Sequence, residues 1–76
     1  MNTLRFVAER GNERFEIIEG TGEGFYVLRY IEGENTHDYL QHDVAMCYRC
    51  AEAEWDVSPD AWREAFPGEL PLWQQK

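Results

Sequence analysis

The chain has 76 residues, 14% of them aromatic, and a formal net charge of -8 from fifteen acidic and seven basic side chains. That length makes one domain, burying about 60% of the surface its unfolded chain exposes, so a deep internal substrate cavity is excluded and binding belongs on the surface or between subunits. The acidic field repels phosphate backbones, which excludes nucleic acid as the expected partner, and no stretch approaches the roughly 20 apolar residues of a membrane span.

The start, Met1-Asn2-Thr3-Leu4-Arg5-Phe6, lacks a basic region followed by an apolar run, which predicts a cytoplasmic protein without a secretory signal. Leu4, Phe6 and Ala8 alternate with Arg5 and Val7, the period of a half-buried strand. Arg10-Gly11-Asn12-Glu13 reads as a tight turn. Phe15 and Ile17 resume the alternation with Glu16 turned the other way, so the two runs form a predicted hairpin. Gly20, Gly22 and Gly24 then stand at every second position, like the glycines of a phosphate-cradling loop. Such a loop needs a lysine and a following helix, and Glu19 and Glu23 would repel a phosphate; a flexible hairpin loop is the reading here.

Phe25 to Ile31 is the strongest strand. Phe25, Val27 and Ile31 share one face with Arg29 at its solvent edge, while Tyr26, Leu28 and Tyr30 share the other. A strand apolar on both faces is central, or its second face is covered by something else. Glu32-Gly33-Glu34-Asn35 is a turn, and Thr36 to Gln41 pairs back as a fourth strand with Tyr39 and Leu40 on opposite faces. Asp43 is an N-cap for a helix whose apolar stripe is Val44, Cys47, Tyr48, Ala51 and Trp55, ending near Asp56. Ser58-Pro59 opens a further helical turn carrying Ala61, Trp62 and Phe66, stopped at Pro67-Gly68. The predicted fold is α+β: an antiparallel β-meander of three to four strands, one main helix packed on one face, and a short C-terminal helical turn. Residues 1–66 form the single domain and 67–76 a C-terminal tail without periodicity.

From Tyr26 to Trp62 the chain resembles a group of small uncharacterised bacterial proteins that share a strand, a turn, a segment like Asp38-Tyr39-Leu40-Gln41, a helix, and a final Val57…Trp62 element. The resemblance implies a ββββα-type fold and no known activity. Proteins of that group are expected to carry an acidic residue at the place of His42 and glycine at the place of Asp56, where glycine suits a left-handed helix stop.

Cys47-Tyr48-Arg49-Cys50 is a CxxC, yet a redox pair puts its first cysteine at a helix N-terminus, and Cys47 falls a turn inside the stripe. With His37 and His42, Cys47 and Cys50 supply four potential zinc ligands, a set weighed against two ordinary helix cysteines and two exposed histidines. Glu16 and Asp38 are candidate paired carboxylates, but nothing in the sequence marks either as desolvated. Ser58, the one serine, is accounted for by capping. No catalytic constellation emerges, and no cofactor is implied.

Eleven aromatics exceed what a core of this size hides. Tyr26, Tyr30 and Tyr39, with Trp73 as a tail anchor, are the expected partner-binding residues, unless the tail folds back and covers that face through Leu72 or Trp73. The expected function is a small acidic, non-enzymatic protein-interaction module, binding a basic protein or a second copy of itself as a homodimer. The alternative is a metal-binding or thiol-responsive protein using Cys47 and Cys50 with His37 or His42.

Overall fold

The alternating runs pair in chain order, each with its predecessor, as short turns between strands of equal length require. A computed structural model describes residues 2–75. Strands β1 (Thr3–Arg10), β2 (Glu13–Gly20), β3 (Gly24–Ile31) and β4 (Glu34–Gln41) form an antiparallel meander. Helix α1 (Val44–Trp55) follows, then a short 3-10 turn (Pro59–Ala61), strand β5 (Arg63–Glu64) and a second 3-10 turn (Leu72–Gln74). The sheet order is β4-β3-β2-β1-β5. The architecture is α+β with one main helix, as the sequence predicts, and has one strand more.

Two turns fix the register of β3. Glu32 and Gly33 both have positive φ, 52° and 82°, the pattern of a tight hairpin turn that matches strand twist. The Glu32 N–H donates to the Asn12 carbonyl at 2.9 Å, tying this turn to the one between β1 and β2. At the other end a side chain on Gly24 (φ 114°) would bring its Cβ within 2.5 Å of the Gln41 carbonyl oxygen, so β3 and β4 approach there only because the residue is glycine.

The first sheet face receives α1. Cys47, Ala51 and Trp55 lie on one side of the helix and seat on Ala8, Phe15, Ile17 and Val27. The Asp43 carboxylate accepts the Met46 N–H at 2.9 Å and starts the helix. Asp56 stops it in the left-handed region (φ 56°, ψ 37°), its N–H donating to the Glu52 carbonyl at 3.0 Å while the Val57 N–H donates to the Ala51 carbonyl at 3.2 Å. The Arg10 guanidinium, from the end of β1, donates to the Trp55 carbonyl at 2.9 Å and the Asp56 carbonyl at 3.3 Å. A cation thus meets the negative end of the helix dipole.

The second face is built from Leu4, Val7, Ile18, Leu28 and Tyr30. Leu4 is a correction: plain alternation puts it with Phe6 and Ala8, but the register shifts between Leu4 and Phe6. This bulge turns Leu4 over to the side of Val7. The Arg5 carbonyl in the bulge accepts the Ala65 N–H at 2.9 Å. The second helical turn is also shorter than its apolar residues suggest. Ser58 caps it by accepting the Asp60 N–H at 3.3 Å, but it ends at Ala61. Trp62 is extended, and Arg63–Glu64 pairs with the open edge of β1 at Val7 and Phe6. Phe66, expected on that helical turn, lies beyond β5 and is 64% exposed.

The tail folds back over the second face. Pro71 is buried, and Leu72 joins the cluster of Leu28 and Tyr30.

Candidate functional site

The ladder places Glu16 opposite Leu28, and Leu28 opposite Asp38. The three therefore form one row across β2, β3 and β4 on the second face. In the neighbouring rows Arg14 faces Tyr30 and Ile18 faces Tyr26. This face is covered over β2 and over Leu28 and Tyr30 of β3, and opens at Tyr26 and along β4.

Where it is covered, the tail is held by charge. Glu16 is 0% exposed. Its carboxylate accepts from Arg14 Nε at 2.8 Å and from the Leu72 backbone N–H at 3.0 Å. Burial pushes the Glu16 carboxyl above its ordinary pKa, outweighing the opposing pull of Arg14 and the Leu72 N–H. Glu69 fixes the approach of the tail with two parallel bonds from Arg63 at 2.9 Å, and a further contact to Arg14 at 3.6 Å. The Arg63 bonds, with the Phe66 N–H, hold the Glu69 carboxyl down at about 2.

Where the face is open, a groove of about 650 Å³ runs between the strands and the tail. Tyr26, Leu28 and Tyr30 of β3 make its floor, Glu34 and Asp38 of β4 one rim, and Leu72 and Trp73 the opposite wall. Trp73 is 42% exposed. Among the described residues lining the groove, the charged ones are both acidic. Burial raises the Tyr26 hydroxyl, with Glu23 and Asp38 adding to the effect. Tyr30 is pushed up to about 12 by burial and by the Glu16 carboxylate. Both phenols stay protonated at neutral pH, and the Tyr26 hydroxyl donates to the Glu23 carboxylate.

Three of the four aromatics expected to contact a partner thus meet in one place. Tyr39 does not join them. It pairs with Val27 on the first face, stacks on Trp55 with ring centroids 5.9 Å apart, and directs its hydroxyl to Glu54 at 3.5 Å. Its position one residue from Leu40 on β4 sends it under the helix side.

The four candidate metal ligands are spread apart. Cys47 is buried in the core under α1, its thiol pushed up to about 12 by burial. Cys50 is half-buried and its thiol is also raised by burial. The His37 ring lies beside Trp55 and Tyr39, with centroids at 5.9 and 6.2 Å. His42 is exposed in the connection from β4 to α1. Among the described residues no three His, Cys, Asp or Glu side chains gather into a set able to hold a metal ion.

The sequence did not reveal the buried ion pair or the latch. Glu16 was recognised as facing away from Phe15 and Ile17, but the desolvating agent, the tail, lies far along the chain. Its one local signal is Arg14 and Glu16 at alternate positions of β2, a spacing that puts the two charges on the same face.

Comparison of the chain with protein-family models, with curated protein sequences and with solved structures gives no match in any of the three. Among the described residues no helix is long and apolar enough to cross a membrane.

Proposed function

We propose that the chain is a small non-enzymatic protein-interaction module whose docking surface is the groove on the second sheet face. One observation carries this reading: Tyr26 and Tyr30 from β3 and Trp73 from the tail, remote in sequence, line a single open groove beside the buried Glu16 carboxylate, which Arg14 and the Leu72 N–H hold in place. Aromatic surface held rigid by a covered neighbour is the composition of an interface centre, and the acidic rim supplies its polar border. The net charge of -8 and the acidic rim favour a heterologous basic protein over a second copy, because two copies meeting here would oppose like charges.

Photo-crosslinking in the native cell tests the reading. A photoreactive residue at Trp73 is expected to give one dominant protein adduct, and the same residue at Glu52, on the exposed side of α1, none of it. Equal adducts from the two positions would sink the groove as the docking surface. A dominant adduct of the chain with itself would replace the basic partner by a homodimer.

A further inference from the structure

Resting on that reading, we infer that the groove recognises an arginine side chain of its partner, the guanidinium lying against Tyr26, Tyr30 and Trp73 and pairing with Asp38. The chemistry of the lining selects this group. A guanidinium is planar, stacks on aromatic faces, and matches a carboxylate with parallel N–H donors. The groove offers the half-buried Tyr26 on its floor, with Tyr30 buried beneath, the exposed Trp73 on its wall, and carboxylates on its β4 rim.

Charge complementarity also identifies the occupant. Among the described residues Arg14 lies opposite Tyr30 in the ladder, and it is engaged by Glu16, Glu9 and Glu69. On the far side of the sheet Arg29 is held by Glu13. Asp38 and Glu34 make no ion pair within the described residues, whereas the carboxylates of Glu9, Glu13, Glu16, Glu19 and Glu69 all do. The groove therefore combines aromatic side chains with two carboxylates that no described residue pairs with. Elsewhere the molecule itself stacks guanidinium on aromatic rings: Arg63 lies 4.6 Å from the centre of the Phe66 ring and Arg10 5.4 Å from that of Phe15.

The geometry also sets the form of the segment that carries the arginine. Asp38 lies on β4, the outermost strand of the sheet on that side. An extended segment running alongside β4 projects alternate side chains over the second face, past Asp38 toward Tyr26 and Tyr30. Leu40, 54% exposed and two positions from Asp38, offers an apolar contact for the next side chain on that face.

The experiment is an amide NMR titration of the isotopically labelled full chain with two peptides. One carries two arginines among glycine and leucine residues, and the other has neutral citrulline at both places. The arginine peptide is expected to shift resonances of residues 26–30, 34–38 and 72–73, including the Trp73 indole. The citrulline peptide should bind at least about tenfold more weakly, as loss of a charge-assisted bidentate pair requires. Asp38→Asn and Tyr26→Leu should each weaken the arginine peptide several-fold while leaving the remaining amide spectrum unchanged. Equal binding of both peptides in the groove overturns the arginine inference and leaves the docking reading standing. Shifts scattered over the acidic surface, unaltered by Asp38→Asn, overturn it as non-specific attraction. Absence of shifts with either peptide overturns it as well, and the crosslinking at Trp73 then decides the docking reading separately.

Discussion

The backbone N–H of Leu72 donates to the carboxylate of Glu16 across 3.0 Å, joining residues 56 positions apart. The same carboxylate takes the Arg14 Nε–H, so a charge in the middle of the sheet is satisfied by its own strand and by the tail. The tail is consequently part of the folded body: it both covers Glu16 and donates to it.

Removing the carboxylate should cost more than neutralising it. Glu16→Ala leaves Arg14 without its closest partner and the Leu72 N–H without an acceptor, at a cost of about 3 kcal/mol. Glu16→Gln keeps an acceptor for Leu72 and should cost distinctly less. Urea unfolding of the two variants checks the order, and a cost for Glu16→Gln equal to that of Glu16→Ala would reject it.

Glu16 also predicts a pH dependence. Its folded carboxyl lies above the ordinary value of 4.5, so the folded chain holds the proton more tightly than the unfolded chain. The stabilisation this gives is complete below 4.5 and lost as pH rises through the folded value. Stability of the wild type relative to Glu16→Gln should therefore increase from neutral pH toward 4.5. Glu69 acts with the opposite sign: its contribution is present above 4.5 and is lost as pH falls toward about 2. Carbon-detected NMR titration of the two carboxyls measures both directions in one series.

Asp56→Gly should stabilise the chain by about 0.5–1 kcal/mol. Asp56 stops α1 with φ 56°, a conformation that glycine adopts without the penalty of a Cβ. The Arg10 bond to the position is to the backbone carbonyl and survives the change. Thermal unfolding of the variant should show a rise of several degrees, and a fall would mean that the aspartate side chain has its own stabilising role.

Thiol labelling should separate the two cysteines. Cys47 is 0% exposed and its thiol is pushed up to about 12, so thiolate is scarce and shielded. Cys50, half-buried, should alkylate first under native conditions, and Cys47 only at the rate of opening of the core. Peptide mass spectrometry after timed alkylation gives both rates. Equal rates would mean that α1 does not hold its first turns against the sheet.

How far the sequence could be read depended on how local each feature was. The two faces of β3, the stripe of α1, and the caps at Asp43 and Ser58 follow from spacing within a few residues, and the structure has them where the spacing puts them. Leu4 was misplaced because the bulge after it is set by β5, a strand arriving from the far end of the chain. β5 itself was hidden inside a helix signal that is real but ends at Ala61. Tyr26, Tyr30 and Trp73 are legible as surplus aromatics, and only the docking of Leu72 shows why Tyr30 is buried and Tyr26 half-buried while Trp73 is exposed. Tyr39 belongs to the other face because strand alternation opposes it to Val27, a pairing that needs the β3–β4 register.

The separation between Glu16 and Leu72 has a consequence for synthesis. The meander needs only neighbouring hairpins, so it can assemble as each strand leaves the ribosome. Residues 71–72 emerge after the sheet and α1, and until they do the Glu16 carboxylate stays hydrated and the second face is bare from β1 to β4. A nascent chain therefore passes through an interval in which its aromatic floor is wider than in the finished molecule.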